Sequence, residues 1–210
     1  MLSIPPCLSL CRIPGPLNEF FARPVPPNTD LTVARTQTAR LLVQLNEWAS
    51  RFPDLCDLDS SVIVKTASPS PKGSTSTSPS SPSPLPDPAI TFNALSSSTY
   101  HAVHLTLLLL QHKVSTDPLR TPEQHSTRPK PIPESVLQKS RFHTESILQN
   151  SAHLEDNYPL GFDFMRSVFP LVVVSSIAPR DVDKRAADDI LARWGARRGV
   201  GGICGPWIGR

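Results

Sequence analysis

The sequence predicts an all-α domain, a bundle-like set of helices interrupted by long loops rich in proline and serine. Three observations predict it. Apolar residues recur at helical spacing in several segments, the C-terminal fifth carries clear helix start and stop signals, and proline-rich stretches separate these segments. The 210 residues are enough for one domain, and the 24 prolines are spread unevenly along them. We therefore expect one helical domain over residues 30–210, preceded by an irregular Pro-rich segment over residues 1–29.

The N-terminal part of the domain predicts one long helix over residues 31–52. Asp30 is its expected cap and Pro53 its stop. Phe20 and Phe21, just before it, are expected to pin a short turn onto the body. The apolar and small residues that fall on alternating three- and four-residue steps are Ala34, Thr38, Leu41, Leu45, Trp48 and Phe52. After the helix, residues 62–64 suit either a strand or the edge of a loop.

Residues 66–90 predict a disordered loop. They hold seven prolines, eight serines and three threonines, too little apolar surface to offset the entropy of ordering. Five Ser-Pro pairs in this loop suit phosphorylation, and an inert insertion is the alternative.

The middle of the chain predicts two further helices with a loop between them. Residues 98–113 carry leucines around the whole helix axis, which predicts a helix buried on most sides. Residues 114–133 carry five prolines and predict a second disordered loop. The next helix, over residues 134–154, has one face formed by Leu137, Ser140, Thr144, Ile147, Ser151 and Leu154.

The last fifth of the chain predicts two helices. Residues 171–174 favour a strand by local preference, but no partner strand stands near, so a buried helix with Pro170 in its first turn or at a kink is the better prediction. Asp181 is the expected cap of the final helix, with Asp183 in its first turn. Its apolar stripe comprises Ala186, Ala187, Ile190, Leu191 and Trp194.

Composition narrows the function classes. The net charge is +3, from 21 basic and 18 acidic residues, which is too balanced to require nucleic acid or an anionic membrane as partner. The four cysteines are sparse and irregular, as in proteins of reducing compartments. No run reaches the roughly 18 apolar residues of a membrane span. The N-terminus lacks the basic lead-in of a signal peptide, so we do not expect secretion.

The sequence contains no convincing motif for catalysis or ligand binding, and we assign no catalytic, cofactor-binding or metal-binding residue. His101 and His104, with His112 farther on, lack the further ligands that a zinc site needs, so packed or surface histidines are the better interpretation. Ser175 and Ser176 lack the setting of a nucleophilic serine. The glycines of residues 199–205 follow a helix, whereas a phosphate-binding loop follows a strand. The basic residues of the last helix alternate with aspartates and predict a solvated face.

One family resemblance stands beside these patterns. Phe169-Pro170-Leu171, an acid-capped helix ending Leu191-x-x-Trp194-Gly195, and the Arg-Arg-Gly-Val-Gly-Gly-Ile-Cys run of residues 197–204 resemble the C-terminal regulatory domain of fungal zinc-binuclear-cluster transcription factors. The resemblance is best over residues 162–207. The family reads DNA with a six-cysteine zinc cluster, and this sequence has no Cys-x-x-Cys pair. The Pro-broken start suggests a chain that begins partway through a larger architecture.

Two function classes follow from these observations. The resemblance implies a nuclear regulatory or interaction module that contacts protein partners, such as a related transcription factor, without reading DNA itself. Without the resemblance, a cytoplasmic location is the expectation. The alternative is an enzyme or small-ligand-binding helical protein whose site forms only in three dimensions. A pocket that collects His101, His104 and a carboxylate would favour this alternative, and an apolar groove without convergent polar groups would favour the first class.

Overall fold

The computed structural model describes Phe21 and residues 30–56, 88–116, 132–157 and 162–198. Within these ranges the chain forms five long helices and one single-turn helix, with no strand, which confirms the all-α prediction. The helices are α1 (Thr32–Arg51), α2 (Pro53–Cys56), α3 (Pro88–Thr116), α4 (Glu134–Asn157), α5 (Phe162–Ile177) and α6 (Asp181–Arg198). The predictions for residues 62–64, the Ser-Pro pairs and the terminal glycines lie outside the described residues.

The α3 helix is the centre of the packing. It contacts α1, α2, α4 and α5, while α6 packs against α5 and α4. Phe21 packs against the same core, as predicted, and its carbonyl accepts a hydrogen bond from Lys113. The main core cluster is formed by α3, α4, α5 and α6, from Ala102, Leu105, Leu109, Ile147, Val168, Leu171, Val172, Val173, Val174, Ile177, Ala178, Ala187, Ile190, Leu191 and Trp194.

The boundaries of α3 differ from the prediction at both ends. The helix begins at Pro88, ten residues before the predicted start at Ser98, and ends at Thr116. Proline suits the first helical position because the amide it lacks would have no intrahelical partner there. Val114 is buried, so the expected second loop begins later than predicted. Residues 66–87 and 117–131 of the two predicted loops lie outside the described residues.

The α5 helix settles the choice between strand and helix at residues 171–174. All four residues are helical and buried. Because α5 packs against both α3 and α6, it carries apolar residues on more than one side. Pro170 lies in the middle of α5 and not in its first turn. It has no N–H to donate to the preceding turn, so the buried contacts of the residues around it compensate for a lost helical hydrogen bond.

The α4 and α6 helices follow their predicted faces. On α4, Leu137 is partly buried, and Ser140, Thr144, Ile147, Ser151 and Leu154 are buried. On α6, Ala187, Ile190, Leu191 and Trp194 are buried and Ala186 is partly buried. Asp181, predicted as the cap, is instead the first helical residue of α6, and Asp183 lies with it in the first turn. Trp194 has no exposed surface, which makes it the largest fully buried side chain of the core.

The α1 helix is the exception. Leu31, not Asp30, occupies its N-cap position, and the Asp30 carboxylate still accepts a hydrogen bond of 2.9 Å from the Thr32 amide. This hydrogen bond holds the pKa of Asp30 below its usual value. Only Thr38 of the helix is buried. The predicted apolar face therefore stays largely at the surface, because α1 packs along one side of α3 and adds nothing to the main core.

None of the helices in the described part of the chain combines the length and the apolar character that a bilayer crossing requires.

Candidate functional site

A cleft of about 450 Å³ is lined by residues of α1, α3 and α5. Its apolar lining residues are Leu45, Trp48, Phe92, Leu95 and Val103, and its polar lining residues are Ser96, Thr99, Tyr100 and Arg166. No histidine or carboxylate is among these lining residues, so the cleft does not collect His101, His104 and a carboxylate. The lining is therefore mainly apolar, with hydroxyl groups and a single cation.

Aromatic contacts form one wall of the cleft. The rings of Trp48 and Tyr100 stack with their centroids 6.1 Å apart, and Phe52 lies 5.5 Å from Trp48. The Tyr100 ring also makes edge contacts with His101, His104 and His143, at centroid distances of 5.1, 5.8 and 6.5 Å. Tyr100 therefore connects the cleft on one side with a cluster of three histidines on the other.

The three-histidine cluster joins α1, α3 and α4. His101 Nδ1 and His143 Nδ1 are 2.9 Å apart, so one of them donates a hydrogen and the other accepts it. The His104 ring stacks on His143 with a centroid distance of 4.2 Å, and its Nε2 lies 3.3 Å from Asn46 Oδ1 of α1. Phe142 covers the cluster through edge contacts with the rings of His101 and His143.

Burial keeps these imidazoles neutral. Loss of hydration lowers the pKa of His101 to about 4, although a hydrogen bond to the backbone of Cys56 opposes part of this shift. Loss of hydration lowers the pKa of His143 to about 3, and repulsion from His104, His101 and Lys139 adds to the effect. The pKa of His104 is lowered chiefly by burial as well. If His101 and His143 were both protonated, the N–H groups at their two Nδ1 atoms would face each other, and the hydrogen bond between the rings would be lost.

A chain of hydrogen bonds beside the cluster ties three helices together. The Asn150 amide of α4 donates to Ser97 Oγ of α3 at 3.1 Å, and Ser97 Oγ donates to the Cys56 carbonyl of α2 at 2.9 Å. All three residues are buried. A buried polar group without a hydrogen bond lowers the free energy of unfolding by about 1–3 kcal/mol, and each of these bonds avoids that loss. The chain therefore fixes the end of the α1–α2 unit against the bundle.

The histidines predicted from sequence are packing residues in the fold. Within the described part of the chain, no group of three or more His, Cys, Asp or Glu side chains has the arrangement of a metal site. His101 is buried, as the packed interpretation predicts, and the third member of its cluster is His143. His112 lies more than two helical turns farther along α3 than His104. The sequence pattern groups His101 and His104 by their helical spacing, and His143 of α4 joins them only in the fold.

The serines considered as nucleophiles have a different environment. Ser175 Oγ donates a hydrogen bond of 2.5 Å to Asp188 Oδ1 of α6, so its direct partner is a carboxylate and not an imidazole. Ser176 is buried. The hydrogen bond between Ser175 and Asp188 joins α5 to α6.

The solvated-face prediction for α6 is wrong at Asp183, whereas Arg193 is exposed as predicted. Asp183 is buried and accepts two hydrogen bonds from Arg180, at 2.7 and 2.8 Å. Arg193 donates to Glu155 of α4 at 2.8 and 3.2 Å. These bonds raise the pKa of both arginines. Part of the alternating charge of α6 therefore serves helix–helix contacts. Residues 197 and 198, the predicted basic end of α6, are helical.

Comparison of this chain with models of protein families, with curated proteins and with solved structures finds no match.

Proposed function

We propose that this chain is a regulatory or interaction module of the kind found in transcription regulators, which acts through a protein partner and has no zinc cluster of its own. The observation that carries the proposal is the α1–α3 cleft, which is mainly apolar and lacks histidines and carboxylates. General acid–base catalysis most often uses histidine or a carboxylate, whereas apolar surface open to solvent is typical of contacts between proteins.

The resemblance of residues 162–207 to the regulatory domain of fungal zinc-cluster factors supports the same class. In that class the DNA-reading element is a separate zinc cluster, and this sequence lacks the paired cysteines that such a cluster needs. Its basic and acidic residues nearly balance, so its attraction to the phosphate backbone of DNA is weak and falls with salt. The proposal therefore includes a nuclear location and an indirect effect on transcription.

Two measurements test the proposed function. The full chain is fused to an unrelated DNA-binding domain, and the transcription of a reporter gene is compared with that of the DNA-binding domain alone. A change in reporter output supports the proposal, and identical output contradicts it. The purified chain is also titrated with specific and scrambled duplexes at about 150 mM salt, where charges are screened over about 8 Å. We expect no sequence preference, and tight binding to one sequence would contradict the indirect mode of action.

A further inference from the structure

The cleft has the dimensions of a groove for a helix. Four of its α3 residues, Phe92, Ser96, Thr99 and Val103, follow one another at steps of four, three and four residues. Such spacing places them in a row along one side of α3. From first to last the row spans eleven residues, or about 16 Å at 1.5 Å per residue. A partner helix of about three turns would cover this length.

The walls of the groove expose apolar surface that a partner can bury. The side chain of Phe92 is 53% exposed and that of Trp48 is 36% exposed. Leu45 stands one turn before Trp48 on the same side of α1, and both line the cleft. Large aromatic residues at the centre of a pocket are the typical anchors of protein interfaces.

The charge of the groove defines the partner further. Arg166 of α5 is the one charged residue among those that line the cleft in the described part of the chain, and it is exposed. The flanking helix α1 carries three arginines, Arg35, Arg40 and Arg51, and a single acid, Glu47. A partner that presents a carboxylate meets a complementary potential here, and a basic partner is repelled.

We propose that the α1–α3 cleft binds an amphipathic, acidic helix of a partner protein, with bulky apolar residues at i, i+3 or i+4 and i+7 in the groove and a carboxylate toward Arg166. This inference rests on the proposed function and names its partner class. A helix is the fitting form because the described part of the chain offers no strand edge to which an extended peptide could add.

The experiment uses displayed helical peptides of about 15 residues, long enough to cover the groove at 1.5 Å per residue. The library varies the apolar positions and carries either Glu or Lys on the polar face. It is selected on the full-length chain and counter-selected on the Phe92→Ala variant. Selected peptides are then synthesised with a fluorescent label, and their binding is measured by anisotropy at low and moderate salt. We expect acidic amphipathic sequences to dominate the selection.

Two variants locate the contact. Phe92→Ala removes an exposed ring and is expected to weaken binding about tenfold or more. Arg166→Glu is expected to weaken the acidic peptide about fivefold and to strengthen a matched peptide that carries Lys in place of Glu. Phe169→Ala is the matched control, because Phe169 is a similarly exposed phenylalanine, 50% exposed, that does not line the cleft. Circular dichroism of each variant establishes that the helices are intact.

Other occupants give different outcomes. Competition of the selected peptide by dodecanoate, together with a selection that shows no acidic preference, would indicate a small amphipathic acid instead and overturn the inference. A dimer in analytical ultracentrifugation that Phe92→Ala dissociates would assign the groove to a second copy. If no peptide is selected but the fusion still changes reporter output, the inference that the cleft binds a helix is wrong and the proposed function stands. Loss of the reporter effect with intact peptide binding overturns the proposed function instead.

Discussion

Acid should destabilise this protein through its histidine cluster. His101 and His143 are buried and neutral in the folded chain, with pKa values of about 4 and about 3. In the unfolded chain both rings regain water and return to a pKa near 6.5. Below about pH 6.5 the unfolded chain therefore binds protons that the folded chain excludes, and the free energy of unfolding falls as the pH falls. Above about pH 6.5 both states are neutral, and the cluster adds no pH dependence.

The magnitude follows from the two shifts. Each pH unit between the unfolded and folded pKa values of one histidine changes the free energy of unfolding by about 1.4 kcal/mol. Between about pH 6.5 and about pH 5, each of the two rings contributes about 2 kcal/mol, so the pair contributes about 4 kcal/mol. His104, whose pKa is also lowered, adds to the loss in the same direction. The sum is a large part of the 5–15 kcal/mol that is typical of domain stability.

Urea unfolding, followed by far-ultraviolet circular dichroism at several pH values between about 5 and about 7.5, measures this loss. The His143→Gln variant lacks one of the two rings. The slope of its unfolding free energy against pH should therefore be smaller by about 1.4 kcal/mol per pH unit. His104→Gln, at a partly buried position, provides a second variant with less risk to folding. Gln149→Ala is the control, because Gln149 is an exposed residue of α4 without a titratable group, and this variant should keep the slope of the parent chain.

A direct observation checks the same reasoning without unfolding. In the folded protein, the imidazole signals of His101 and His143 in a nuclear magnetic resonance titration should stay those of neutral rings down to about pH 5. Two results would refute the reasoning: titration of both rings near 6.5 in the folded protein, or equal pH slopes for the parent chain and the cluster variants. Either would mean that water reaches the rings or that they are not held against each other.

Three further predictions concern packing and polar contacts. Trp194→Ala should lower the free energy of unfolding by about 3–5 kcal/mol in urea titrations, because the ring has no exposed surface, whereas Val182→Ala at an exposed position of α6 should change it by less than about 0.5 kcal/mol. Asn150→Ala should cost about 1–3 kcal/mol by breaking its buried hydrogen bond to Ser97, and equal stability of variant and parent would contradict that role. Glu155→Gln should cost only about 0.2–1 kcal/mol, and less at high salt, because its arginine partner on α6 is partly exposed.

Helix periodicity predicted most of the fold correctly. The buried row from Ser140 to Leu154 on α4 and the stripe that ends at Trp194 on α6 were both visible in the sequence, because each helix buries a single face and its apolar or small residues repeat at helical spacing. At Leu171–Val174 local preference pointed to a strand, and the packing of α5 against α3, α4 and α6 overrode it. The start of α3 was missed because Ser96, Ser97 and Ser98 look like a serine-rich cap region, although they lie inside the helix.

The candidate site was predictable only in part. His101 and His104 lie on one helix and could be paired from their spacing, but His143 is 42 residues beyond His101 and joins them only through the α3–α4 contact. Nothing in the local sequence marks Phe142–His143 as a cluster. The cleft is likewise a product of three helices, since Trp48, Phe92 and Arg166 come from α1, α3 and α5. Sequence spacing reports on one helix at a time, so sites between helices escape it.

The weak attachment of α1 is what connects the fold with the proposed function. A helix that buries only Thr38 gains little from the hydrophobic effect. The contacts that hold α1 include the Arg35 guanidinium, which donates to the Val114 carbonyl at 3.0 Å, Asn46 beside His104, and the stacking of Trp48 on Tyr100. These contacts fix the position of α1 and leave much of its apolar surface uncovered. The proposed partner contact rests on this uncovered surface, since exposed apolar surface is typical of contacts between proteins.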